Sequence, residues 1–315
     1  MNVLVAGGAG YIGAVLVPRL LADGHRVTVY DTMWFGNGHL PDNGNLTVIK
    51  GDVRSVRDMN AACEGQEAVI CLASISAEEM CQRNRTLART VNIGGTMSVA
   101  LSAKEAGVKR FIYASSVAAY ASGDKASTEA DDMRPTTIYG ECKVEGELRV
   151  LKQHPEAVIV RSASVCGYSP HQRFDLTVNM MVHDAVRKGV ITVNGGAQKR
   201  SHIHIQDVCE FYKLLLDAPK EKIAGQVFNV VAENATVAET ARLVANEIGA
   251  RIVTQPRSDE RSYTVDGTKA REVLGFVPRR TVRQAVIDLK ARFDSGYWKD
   301  SLSNQVYQNL ADGLV

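Results

Sequence analysis

Short apolar runs alternate with longer stretches of helical periodicity through the first half of the chain. Asn2–Ala6, Arg26–Tyr30, Leu46–Lys50, Ala68–Leu72, Lys109–Ala114 and Ala157–Arg161 each read as a strand, and the apolar ones suit burial on both faces. Between the first two strands, Ile12, Leu16, Leu20 and Leu21 share one helical face, and the segment Tyr11–Asp23 closes at Gly24. Arg83–Gly107 and Ile138–Gln153 predict further helices. This alternation predicts an α/β fold: a Rossmann-type, doubly wound parallel sheet covered by helices on both faces.

Beyond residue 165 the alternation loosens. Helices are expected over Phe174–Lys188, Thr236–Gly249 and Thr281–Asp294, with short strands at Val190–Val193 and Gln226–Val231. We expect a first domain of residues 1–165 and a smaller C-terminal lobe of residues 166–315, with interleaved elements and an approximate boundary. The lobe should cover the carboxyl edge of the sheet. The segment 295–315, polar but for residues such as Tyr297, Trp298 and Tyr307, receives no assignment.

Composition narrows the class. The 315 residues are 45% hydrophobic and 23% charged, ordinary for a soluble globular protein. A net charge of +2 gives no electrostatic case for nucleic acid or an acidic membrane. Six cysteines without C-x-x-C spacing argue against a zinc site and a disulfide framework. The glycine loop starts at residue 7, which leaves no room for a signal peptide, and no apolar run approaches membrane-spanning length. A cytoplasmic protein is expected.

Two motifs carry the chemistry. Gly8-Ala9-Gly10-Tyr11-Ile12-Gly13 fits G-x-G-x-x-G, and Gly7, Gly10 and Gly13 also fit G-x-x-G-x-x-G. The run follows a strand and opens a helix, where bare backbone can approach a pyrophosphate. Asp31 closes the next strand and is expected to bind the adenosine ribose. Its carboxylate would repel a 2′-phosphate, which favours NAD over NADP. Asp52 and Val53 follow a third strand and are expected near adenine.

The second motif is Tyr139-Gly-Glu-Cys-Lys143, with Tyr and Lys one helical turn apart on one face. Ser116 closes the strand Phe111–Ala114, where a doubly wound fold places its ligands. Tyr139 is expected to take the proton of a substrate hydroxyl. Lys143 is expected to contact the nicotinamide ribose and favour the phenolate, and Ser116 to hydrogen-bond the reacting oxygen.

With these motifs the chain resembles the extended short-chain dehydrogenase/reductase family, the sugar-nucleotide epimerases and dehydratases, from about residue 2 to residue 290. Val91-Asn92-Ile93-Gly94-Gly95-Thr96 resembles the family's N-x-x-G-T segment, and Arg161 with Val165-Cys166-Gly167 its R-x-x-x-V-y-G strand end. Cys71-Leu72-Ala73-Ser74 stands where the family often has H-L-A-A, with Leu72 and Ala73 at the cofactor. The segment from Arg200 to Val208 and the one from Arg261 through Pro278 resemble those whose arginines bind the nucleotide diphosphate. Cys81-Gln-Arg-Asn84 and Ser169-Pro170-His-Gln-Arg173-Phe174-Asp175 resemble a subgroup containing a GDP-heptose 4-dehydrogenase. The resemblance implies NAD, a nucleotide-diphosphate sugar, substrate contacts from Asn92, Arg173, Arg200 and Arg261, and a homodimer formed by the helices of residues 83–107 and 138–153.

Departures from the family pattern matter. Dehydratases of the family place Thr-Asp-Glu where this chain has Ser116-Val117-Ala118, so the usual acid and base for 4,6-dehydration are missing. Oxidation at C4, as a 4-epimerase or net 4-dehydrogenase, is the leading reading. The alternatives are 4-keto reduction, 4,6-dehydration, and a non-catalytic NAD-binding regulator. Cys71 reads as a buried strand residue. His202 and His204 alternate on a strand but lack matching ligands, so no metal is expected. Glu141, Glu145 and Glu147 read as a solvated or dimer-facing edge, and Met180-Met181 as core, with Asn179 beside them near substrate.

Overall fold

A computed structural model describes residues 1–123, 125–256, 261–298 and 307. The chain begins β1 (Asn2–Ala6), α1 (Gly13–Ala22), β2 (Arg26–Asp31), β3 (Leu46–Lys50), α2 (Val56–Cys63) and β4 (Ala68–Cys71). Along β1, Val3 and Val5 pack into one helix-covered core and Leu4 and Ala6 into the other, so the strand is apolar throughout. Next come α3 (Glu78–Arg83), α4 (Arg85–Arg89), a π-helical segment Thr90–Gly95, and α5 (Thr96–Glu105).

The single helix expected over Arg83–Gly107 is therefore broken. The wide turn lets Asn92 point inward, where its amide takes Ile75 N–H (2.7 Å) and donates to Ile75 C=O (2.9 Å). At Gly95 a Cβ would come within 2.5 Å of Val53 Cγ2.

β5 (Arg110–Ser116) leads through a short 3₁₀ turn, Val117–Ala119, to β6 (Ala126–Ser127), α6 (Ile138–Gln153), β7 (Val158–Ser162) and β8 (Ser164–Cys166). The rest comprises α7 (Thr177–Lys188), β9 (Val190–Asn194), β10 (Lys199–His204), α8 (Ile205–Asp217), α9 (Lys220–Ile223), β11 (Val227–Val230), β12 (Glu233–Thr236), α10 (Val237–Ile248), β13 (Arg251–Gln255), β14 (Thr264–Val265), α11 (Thr268–Leu274) and α12 (Val282–Asp294).

Seven strands form one sheet in the order β11-β7-β5-β4-β1-β2-β3, and every pairing is parallel. The order reverses between β1 and β4, which opens a crevice at their carboxyl ends. β11 comes from the C-terminal half yet completes this sheet, and α8 packs on it through Val208, Phe211 and Leu215. Small sheets β12-β10-β8 and β13-β9, with α7, α10 and α12, enclose a separate core above the carboxyl edge. Trp298, 1% exposed, closes that core against Phe174 and Phe293. Phe174 N–H donates to Tyr307 C=O at 2.6 Å. Residues 299–306 and 308–315 of the unassigned segment lie outside the described residues.

Candidate active site

A cavity of about 640 Å³ occupies the crevice at the carboxyl edge. Gly7 leaves β1 with φ +82°, and a Cβ there would sit 2.5 Å from Ala73 N after β4. Gly13 opens α1, and a Cβ there would sit 2.3 Å from Gly8 C=O. Only glycine allows this compact turn, which presents Gly10, Ile12 and the start of α1 to the cavity. The glycine cradle fits a pyrophosphate.

Asp31 lines the same end of the cavity and accepts Ala9 N–H (3.1 Å) and Met33 N–H (2.9 Å). Burial pushes its carboxyl above the ordinary value, and the two N–H groups oppose that. A carboxylate has room for further donors, which ribose hydroxyls would supply. Val53, Leu72 and Ala73 also line this end. Asp52 lines it too, but its carboxylate is taken by Arg54, with Nη2–Oδ2 at 2.6 Å. Tyr11 does more than sit in the glycine run. Its hydroxyl donates to Gly167 C=O (2.7 Å) and accepts from Asn179 (3.0 Å), tying the glycine loop to the second lobe.

α6 carries the Tyr and Lys. Thr137 caps it by accepting Gly140 N–H at 3.0 Å. Two glycines let it lie close on its neighbours: a Cβ on Gly140 would meet Ala118 C=O at 2.4 Å, and one on Gly146 would meet the Tyr113 hydroxyl at 2.3 Å. Tyr139, Lys143 and Ser116 thereby face one cavity. Lys143 Nζ donates to Ala114 C=O (2.7 Å) and lies 5.5 Å from the Tyr139 ring centre. Burial pushes the Lys143 ammonium down to about 8. Burial also pushes the Tyr139 phenol well above its ordinary value; the Arg173 guanidinium and a hydrogen bond with Ser116 oppose it. Arg173 is thus a counter-charge to Tyr139 beyond those the motif supplies.

The solvated edge expected for α6 holds for Glu141 and Glu145, which pair with Arg89 and Arg149 at the surface. It fails for Glu147. One turn past Lys143, Glu147 is 2% exposed and grips Arg161 of β7, with Nη2–Oε2 at 2.7 Å, while Ser115 donates to it. Arg161 also donates to the Tyr120 hydroxyl (2.8 Å), which donates to Asn229 of β11 (2.7 Å). This buried chain fixes α6 against β5, β7 and β11. Helical spacing gives a side chain's direction but not its partner on a distant strand.

The other end of the cavity belongs to the second lobe. Arg173 is clamped by Asp175 (Nε–Oδ1 2.9 Å) and donates to Ser76 Oγ (2.7 Å). Arg200 lies over the Tyr263 ring at 5.4 Å and donates to Lys199 C=O (2.9 Å) and to Arg261 C=O. Arg173, Arg200 and Arg261 all line the cavity.

Asn92 and Asn179, expected at the substrate, do not line it. Asn92 is 1% exposed and pins the loop after β4 at Ile75. Asn179 is fully buried, accepts Gly167 N–H (2.9 Å) and donates to Arg173 C=O (2.9 Å). Both hold the cavity's walls. Met181 is buried in the core as expected, and both it and Met180, 40% exposed, line the cavity. Cys71 is buried at the end of β4, and burial raises its thiol to about 11. His202 and His204 are buried on β10 outside the cavity. Sequence reasoning missed Glu78, Trp34, Phe35 and His171, which line the cavity from loops and a short helix with no periodic signal.

The model of the NAD dependent epimerase/dehydratase family matches residues 3–231. A UDP-glucose 4-epimerase of Mycolicibacterium smegmatis is 28% identical over 304 residues, covering 91% of this chain and 96% of that protein. A dTDP-glucose 4,6-dehydratase of Streptomyces niveus is 24% identical over 329 residues, covering 96% of each. Among solved structures, MoeE5 in complex with UDP-glucuronic acid and NAD is similar with a TM-score of 0.84 at 27% identity, covering 94% of this chain and 100% of that one.

Proposed function

Because the chain belongs to the NAD dependent epimerase/dehydratase family, we propose that it oxidises the C4 hydroxyl of a nucleotide-diphosphate sugar, as a 4-epimerase or a net 4-dehydrogenase. The observation that carries the reading is the convergence of Tyr139, Ser116 and Lys143 on one cavity that runs from the glycine cradle to Arg200 and Arg261.

Gly7, Gly10, Tyr11, Ile12 and Gly13 would hold the dinucleotide's pyrophosphate, Asp31 its ribose, and Asp52, Val53, Leu72 and Ala73 its flanks. Held there, NAD would supply the acceptor for the hydride that leaves the sugar carbon. Tyr139 takes the proton of the C4 hydroxyl, and Ser116 hydrogen-bonds that oxygen and the phenol together. Lys143 holds positive charge beside the phenolate that proton uptake requires. Arg200 and Arg261 neutralise the diphosphate, and Arg173 faces the sugar.

Residues 1–165 serve the cofactor in this reading and residues 166–315 the nucleotide sugar. A homodimer through the helices of residues 83–107 and 138–153, a cytoplasmic location and a role in polysaccharide biosynthesis belong to the same proposal. No helix among the described residues is long and apolar enough to cross a membrane.

Dehydration is disfavoured by the residues after Ser116. Val117 is 2% exposed and packs with Tyr120 and Val265, and neither it nor Ala118 can supply an acid or base. The test is a panel of UDP-, dTDP-, CDP- and GDP-sugars with NAD, beginning with UDP-glucose, UDP-glucuronic acid and a GDP-heptose. Conversion without cofactor reduction marks an epimerase, and steady cofactor reduction marks a dehydrogenase. A product lighter by one water overturns the C4-only reading. Tight NAD binding with no turnover across the panel favours a non-catalytic regulator. Tyr139→Phe should lose turnover and keep NAD; an active variant would sink the mechanism.

A further inference from the structure

The N-terminus of α6 is closed by a residue sixty positions upstream. Thr137 serves the third backbone N–H of the helix, at Gly140. The first two, at Ile138 and Tyr139, both donate to the carboxylate of Glu78 on α3, at 3.3 and 3.0 Å. Gln82 donates to the same carboxylate at 3.1 Å. Glu78 lies two residues beyond Ser76, which takes the Arg173 guanidinium, and both line the cavity. The loop after β4 is therefore held at one point by Arg173 and at the next by the backbone of Tyr139 itself.

We propose that Glu78 is a positioning residue: its carboxylate fixes the first turn of α6, locks the sugar-side loop to Tyr139, and masks the helix's positive end from the phenol. The proposal rests on the reading of Tyr139 as the base. A helix N-terminus carries partial positive charge from its free N–H groups, and that charge favours a nearby anion. A carboxylate seated on those groups cancels it, so Glu78 makes the phenolate harder to form. Other groups facing Tyr139 are Lys143 on α6, Tyr113 on β5, Cys81 on α3, Tyr212 on α8, Tyr263, and Arg173 on the loop after β8. Lys143 and Arg173 favour the phenolate; Glu78 opposes them from the helix end.

The experiment needs no sugar. Protein labelled at tyrosine ¹³Cζ and saturated with NAD is titrated by NMR, and the Tyr139 signal is identified by its loss in Tyr139→Phe. Glu78→Gln keeps the size and one acceptor oxygen but removes the charge. It should lower the Tyr139 midpoint by about half a pH unit, the scale of a charge at a helix end. Glu78→Ala should lower it at least as far, and serves if the amide variant does not fold. A role in packing alone would change stability without moving the midpoint. A midpoint no lower than that of the wild type, including one beyond the measurable range in both, overturns the inference. An active Tyr139→Phe would instead overturn the functional reading.

Discussion

Replacing Glu147 with Ala isolates the buried chain beneath the active site. The side chains of Glu147 and Arg161 are 2% and 4% exposed. Arg161 makes three contacts to the carboxylate within 3.2 Å, through Nε to both oxygens and Nη2 to one, and otherwise donates to the Tyr120 hydroxyl at 2.8 Å and the Met133 sulfur at 2.9 Å. Glu147→Ala leaves a guanidinium in the interior with most of its compensation gone. Breaking one partner of a buried pair costs about 3–5 kcal/mol, a large share of a typical total of about 5–15. With a urea slope of about 3 kcal/mol per molar, the midpoint should fall by about 1 to 1.7 M. Replacing both residues with Met removes the stranded charge. That double variant should be more stable than either single one, with a coupling energy of at least about 2 kcal/mol. Urea unfolding followed by circular dichroism and by tryptophan fluorescence measures the cycle, and agreement of the two probes checks two-state behaviour. A loss below about 1 kcal/mol in Glu147→Ala, or a double variant as unstable as the two singles summed, would refute the reasoning.

Two further outcomes follow from burial. Lys143 is held in the interior with its ammonium depressed from 10.5 to about 8, a cost near neutral pH of roughly 3 kcal/mol at about 1.4 per pH unit. Lys143→Met should therefore keep or raise the melting temperature while turnover falls by about 10² or more; a melting temperature several degrees lower would contradict this. His202, with burial as the main cause and the Arg200 charge adding to it, is pushed from 6.5 to about 4. Between those values the unfolded chain binds a proton that the folded chain refuses, so stability should decline as pH falls from 6.5 towards 4. The slope from this residue is about 1.4 kcal/mol per pH unit. Urea midpoints measured across that window should show a shallower decline in His202→Gln, and parallel profiles would show that another group is responsible.

Much of the fold was legible because its signals are local. β1, β3 and α6 match their expected bounds, since an apolar run or a repeated face needs no knowledge of the rest of the chain. The helix expected from Thr236 to Gly249 was delimited by its own chemistry: Thr236 and Glu239 form a capping box, and Gly249 ends the helix with φ +86°. The π segment at Thr90–Gly95 escaped because its cause is remote. Asn92 turns inward for the backbone of Ile75, and nothing within its own window marks that.

The site divides along the same line. The glycine cradle, Asp31, Tyr139, Lys143 and Ser116 each sit at a strand end or helix start that the pattern locates, and all of them line the cavity. Asn92, Asn179 and Glu147 were located on the right elements and misread in role, because each is decided by its partner. A helical glutamate is solvated unless some other strand offers it a guanidinium, and the strand that does so for Glu147 carries Arg161, fourteen residues further on. Glu78 is the converse. Its six-residue helix carries no pattern, yet its carboxylate meets the backbone of Tyr139, the proposed base. One side chain at the start of α3, already pressed against α6, suffices for such a contact. Groups that tune Tyr139 are therefore to be sought among the neighbours of its helix's first turn rather than in the motif that contains it.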